Sequence, residues 1–178
     1  MNPYKTDKIN LADVKEKIRL EDYRYGNLAG RSQILYWVFV CMYSIYTIIH
    51  IFDGSEISEV ISSSCYLLGM LIFALSFKNY SKEYHQVDYS LSTLVVLKKA
   101  ADRYKPFRKK TWWLVLAVCL IDAGISLTVE SIDSLILAQS TVIGGTLVGI
   151  TVGLVIWYKR YKPLRDEALL LIRQIEEE

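Results

Sequence analysis

Apolar positions along this chain gather into two long blocks. Neither 32–77 nor 111–158 contains a lysine or arginine, and each is interrupted once by a short acidic turn, DGSE at 53–56 and ESIDS at 130–134. Each block is about twice the ~20 residues that one membrane-crossing helix needs. The pattern predicts four spans, at 34–52, 57–77, 111–129 and 135–158, arranged as two helical hairpins. The spans are apolar on all sides, unlike a surface helix of a soluble protein, which keeps one polar face.

Outside the blocks the apolar period becomes that of amphipathic helices. Leu11, Val14 and Ile18 repeat at i, i+3, i+7 and predict a helix over 10–23 with Asn10 as its N-cap. Gly26 and Gly30 then read as a flexible approach to the first span. The middle segment, 78–110, is too long to leave the membrane and return as one straight helix. A break at 87–92, capped by Asp88 or Ser90, lets the second span run on to about Gln86 and a new helix return over 91–104, with Leu94, Leu97, Ala101 and Tyr104 on one face. Pro106 disfavours helix at Lys105 and marks the entry to the third span. After Pro163, the residues Leu164, Ala168, Leu171, Ile172 and Ile175 line one side of a third amphipathic helix. Three such faces on one side could pack together, lie on lipid or hold a partner.

The fold class expected is therefore an all-α integral membrane protein of four transmembrane helices with amphipathic cytoplasmic helices. Its organisation is a leader (1–31), a first hairpin (32–77), a helical connection (78–110), a second hairpin (111–158) and a tail (159–178). All 21 basic residues lie in 1–31, 78–110 and 159–178. Cytoplasmic flanks collect Lys and Arg, so both termini are expected in the cytoplasm and both acidic turns outside. The leader carries both signs of charge and no A-x-A-like site, and reads as preceding an uncleaved anchor. By analogy of layout, the expected location is the bacterial inner membrane.

Candidate chemistry is sparse. Asp122 falls near the middle of the third span, where an ionisable group is costly. With Ser63, Gln139 and His50 it could form a polar cluster in the outer half, for interhelical hydrogen bonding first and for proton or ion handling as the alternative. Gly145, Gly149 and Gly153 form G-x-x-x-G-x-x-x-G on one face of the fourth span, a pattern that admits a second backbone. Packing within the chain is the first reading and a homo-oligomer the second. Cys41, Cys65 and Cys119 all lie in spans and give no disulfide framework. His50 and His85 are far apart, and Glu83, His85 and Asp88 match no metal-ligand spacing, so no metal and no cofactor are expected. Nucleotide and hydrolase signatures are absent. A net charge of +2 with basic residues at the membrane edge does not suit nucleic-acid binding.

The pattern R-Y-K-P-x-R occurs at 103–108 and again at 160–165. One copy precedes the third span and the other follows the fourth. Arg103, Lys105, Arg108, Lys109, Lys110, Lys159, Arg160 and Lys162 are therefore read as interface cations facing an anionic inner leaflet. If a hairpin was duplicated, the offset is 77 to 79 residues rather than the 57 that separates the two copies. The expected role is a non-enzymatic scaffold or regulatory protein whose cytoplasmic helices bind each other or a cytoplasmic protein. The alternative is a small oligomeric transporter or channel built on Asp122.

Overall fold

The computed structural model describes residues 11–129 and 131–177, so Asn10, expected as a cap, and Glu130 of the second acidic turn lie outside the described residues. Among the described residues six α-helices follow one another: α1 (Leu11–Phe52), α2 (Ile57–His85), α3 (Thr93–Arg103), α4 (Trp112–Thr128), α5 (Ile132–Ile156) and α6 (Lys162–Glu177). No strand occurs among the described residues. Four stretches of helix among the described residues are long and apolar enough to cross a membrane.

α1 runs unbroken through Gly26 and Gly30, which corrects the expected separate leader helix. At 1.5 Å per residue it is about 63 Å long. The two glycines serve close approach instead of flexibility. A Cβ at Gly26 would stand 2.5 Å from the His85 ring, and one at Gly30 would stand 3.3 Å from Ser81. The Ser81 hydroxyl donates to the Gly26 carbonyl at 3.3 Å, so α2 lies directly against α1. Further along, Tyr36 stacks on Phe73 and Phe77, with centroids 4.9 and 5.2 Å apart. Gly54 closes the turn into α2 with φ +68, a left-handed conformation that only glycine adopts freely.

The second close pairing is α2 against α4. Here Gly69 faces Ile121 and the Ala117 carbonyl, and Gly124 faces Tyr66 and the Ser62 carbonyl, each with a would-be Cβ contact of 2.8 to 3.2 Å. Ser62 donates across the interface to the Gly124 carbonyl at 2.8 Å. Backbones meet where one residue in each helix has no side chain, which is the expected physics of small residues between helices.

At the charged end, α3 begins at Thr93 with Ser92 at its cap. Asp88 and Ser90, expected as caps, instead form a local turn in which the Ser90 amide donates to Asp88 Oδ1 at 2.9 Å. A 3-10 turn (Lys109–Thr111) leads into α4. The chain does not break at Pro163: a π turn, Trp157–Tyr161, joins α5 to α6 in one continuous helix. Proline cannot donate to the carbonyl four residues back and its ring presses on it. Widening the turn, with the Lys162 amide reaching the Trp157 carbonyl, accommodates that defect without ending the helix. Val14 and Ile18 of α1, Tyr84 of α2, Leu97, Ala100 and Ala101 of α3, and Leu164, Ala168, Leu171 and Ile172 of α6 form one buried core. Three amphipathic faces thus bury one another.

The two hairpins are unlike. α1 and α2 pack along their lengths, whereas α5 has no buried residue and rests only lightly on α4. The glycine stripe is not used inside the chain, contrary to the first reading of it. A Cβ added at Gly144, Gly145, Gly149 or Gly153 would meet nothing within 4 Å among the described residues. Gly69→Val should therefore overpack the α2–α4 contact and cost about 1–3 kcal/mol, while Gly145→Val should leave stability unchanged. Thermal unfolding of the two variants in detergent checks the contrast.

Candidate functional site

The two R-Y-K-P-x-R copies meet in space. α1 presents Glu21 and Asp22 in succession, and each copy sends its first arginine to one of them. Arg103 Nη2 lies 2.6 Å from Asp22 Oδ2, and Arg160 Nη2 lies 3.1 Å from Glu21 Oε1. The next residue of each copy completes the clamp: the Tyr104 and Tyr161 rings stack with centroids 5.5 Å apart. Trp157 Nε1 donates to the Tyr104 carbonyl at 2.8 Å, tying the base of α5 to the first copy.

The first copy is withdrawn from solvent. Asp22 is 1% exposed and Arg103 7%. This corrects the reading of Arg103 as a headgroup-facing cation. The carboxylate is well supplied with donors: Tyr89 at 2.6 Å and Arg103 at 2.6 Å reach Oδ2, and Tyr104 at 2.7 Å reaches Oδ1. Burial pushes the Asp22 carboxyl above its usual range, against the pull of the Arg103 charge and the three hydrogen bonds. The same burial pushes the phenols up, Tyr25 to about 12 and Tyr84, Tyr89 and Tyr104 further. Burial alone would also raise Glu83, but hydrogen bonds from Arg108 and Lys110, at 2.6 and 3.1 Å, hold it below the usual carboxylate range.

A groove opens beside the clamp, between α4 and α5, with a volume of about 960 Å³. Its charged end is walled by Arg103, Tyr104, Lys105, Arg108, Trp157 and Tyr161. Asp122 and Gln139 line its far part. The expected outer-half cluster is only partly assembled there. Gln139 donates to the Ser126 hydroxyl at 2.8 Å, Ser126 donates to the Asp122 carbonyl at 2.9 Å, and Asp122 Oδ1 is buried without a hydrogen-bond partner among the described residues. Ser63 turns back to the Val60 carbonyl of its own helix, and His50 sits at the α1–α2 turn with Ser55 and Glu59. Neither joins Asp122.

The remaining basic residues are placed diversely. Lys105 pairs with Asp102, and Lys110 shares Glu83 with Arg108. Lys162 lies over the Tyr158 ring, 4.5 Å from its centre. Lys109 and Lys159 are exposed. Of the glycine stripe, Gly149 and Gly153 line the groove. No group of three His, Cys, Asp or Glu side chains among the described residues is arranged to hold a metal.

Sequence reasoning does not single out Asp22, Tyr84 or Tyr89. A signal exists for Asp22: it continues the stripe of Val14 and Ile18 at i+4, an acid where the pattern calls for an apolar residue. Arg103 has the same anomaly on α3, three residues after Ala100. A lone acid and a lone base on two apolar faces that must meet are a buried pair in waiting. Comparison with known proteins brings no match: no protein family, no curated protein and no solved structure resembles this chain significantly.

Removing one member of a buried ion pair leaves the other uncompensated, at about 3–5 kcal/mol. Asp22→Leu and Arg103→Met should each destabilise the protein by about that amount, and the double variant by less than either single one. A double-mutant cycle on thermal unfolding measures this. The buried phenols give a second expectation. Above pH 10 the unfolded chain releases phenolic protons that the folded chain keeps, so stability falls as pH rises from about 10. Absorbance at 295 nm should show a late group of tyrosines that ionises together with loss of fold, after the exposed tyrosines have titrated.

Proposed function

We propose that this chain is an integral membrane protein with its charged bundle and both termini in the cytoplasm, acting as a non-enzymatic scaffold or regulatory protein. The observation that carries the reading is continuity of helix. α1, α2 and the α5–α6 rod each run from the apolar part into the buried bundle without a break. A displacement of the bundle therefore moves three spans together, and a lateral contact made by the spans is felt at the bundle. Complete segregation of basic residues supports the orientation. The bundle buries its apolar faces on itself and leaves charged residues such as Arg19, Lys98 and Lys99 outward for a soluble partner.

The transporter alternative is less well supported by the geometry. It draws on Asp122, and of its expected companions only Gln139 shares the groove.

Two measurements test the proposal. In a background without Cys41, Cys65 and Cys119, a membrane-impermeant thiol reagent should label Asp53→Cys in intact cells, and Lys99→Cys only after permeabilisation. The reverse pattern would invert the topology, and labelling of both would remove the membrane reading. Gentle solubilisation should retain a soluble protein that is lost when Arg19 and Lys99 are changed to Glu. An unchanged set of co-purifying proteins counts against the scaffold role.

A further inference from the structure

The groove between α4 and α5 combines three features. Its walls are apolar over most of their area, from Leu114 and Val118 on one side to Ile143, Leu147, Ile150 and Leu154 on the other. Its floor on α5 is cut away by Gly149 and Gly153, where an added Cβ would meet nothing within 4 Å among the described residues. Its charged end is lined by Arg103, Lys105 and Arg108. Arg108 Nη1 and Arg103 Nε have no hydrogen-bond partner among the described residues, but both are closed to solvent and meet an acceptor only if a neighbouring side chain moves. Charge is what points to an anion here. Arg108 and Lys110 share the single carboxylate of Glu83, which leaves one positive charge in excess at that corner.

We propose that the groove binds one anionic phospholipid, with its phosphate at the Arg108 end and its acyl chains lying along Gly149 and Gly153. This rests on the membrane reading above, whose failure would show separately as protein recovered without detergent. Dimensions agree with a lipid from one leaflet. Asp122 lies about 15 Å along α4 from Trp112, which matches half of a ~30 Å hydrocarbon core. The volume falls at the upper end of the ~300–1,000 Å³ typical of ligand pockets, whereas a second copy's helix would bring a cylinder some 10–12 Å across. The walls give free phosphate nothing to hold beyond the charged end. The glycines that read as a helix-packing stripe become, on this proposal, the bed for a flexible chain.

Native mass spectrometry of the full chain in detergent tests it, with phosphatidylglycerol, phosphatidylcholine of the same chains, and inorganic phosphate as probes. One phosphatidylglycerol per chain should be retained in preference to phosphatidylcholine. Arg108→Met should lower that retention about fivefold, the weight of one basic residue at an anionic surface. Gly149→Leu combined with Gly153→Leu should abolish it. Gly145→Leu, on the same stripe but outside the groove lining, should not change it. Because Gly149 and Gly153 face open space, their replacement should leave thermal unfolding unchanged, and the glycine result stands even where Arg108→Met disturbs Glu83. Equal retention of the two lipids would overturn the proposal, as would retention of inorganic phosphate alone, indifference to the glycine pair, or a dimer mass without bound lipid.

Discussion

A carboxylate and a guanidinium 2.6 Å apart, both out of water, set the terms for the rest of this fold. Taking such a pair from solvent costs several kcal/mol per ion and is recovered only where further hydrogen bonds complete the shell. Tyr89 and Tyr104 complete it for Asp22. The requirement is directional. Apolar faces on α1, α3 and α6 could slide or rotate against one another at little cost, since Val14, Leu97, Ala168 and their neighbours are interchangeable in kind. The Asp22–Arg103 contact admits one register. Around it the second arginine, Arg160, and the paired rings of Tyr104 and Tyr161 fall into place.

That fixed end contrasts with the freedom of α5. Held at its base by Trp157 and near its start by Gln139, the helix stands away from α4 over the length between. The glycines that could have drawn it in are idle, while those that pack backbones, Gly69 and Gly124, belong to the α2–α4 contact. In the apolar part α2 thus packs between α1 and α4, and α5 is set off beside α4. The space between is lined by Asp122 at its far part and Arg108 at its charged end.

Much of this is legible from residue order. The apolar blocks, the acidic turns and the break near 87–92 all produce helices close to where their pattern puts them, because each depends on local composition. The failures share a cause. Gly26, Gly30 and Pro163 read as breaks in the sequence, since glycine and proline weaken helices in isolation. In the fold, Gly26 and Gly30 are held by the neighbouring α2, and Pro163 is absorbed by a π turn. Arg103 reads by its company of basic residues, although its partner lies 81 positions earlier. Spacing alone, in the glycine stripe, states that a backbone can approach and is silent on whether one does. For the groove, Asp122 and Gln139 are visible as polar residues in apolar blocks. Their separation from Ser63 and His50 depends on helix rotation, which no residue count supplies.

The π turn at Trp157–Tyr161 carries one residue more than an α-helical turn would. Each residue of an α-helix advances the azimuth by about 100°. The widened turn takes up that residue, so the faces before and after it keep nearly the phase of an unbroken α-helix one residue shorter, and Leu164, Ala168 and Leu171 stay in the core while Tyr161 stays on Tyr104. The interval of 57 positions between the two R-Y-K-P-x-R copies therefore holds one residue that the facing of the rod does not count.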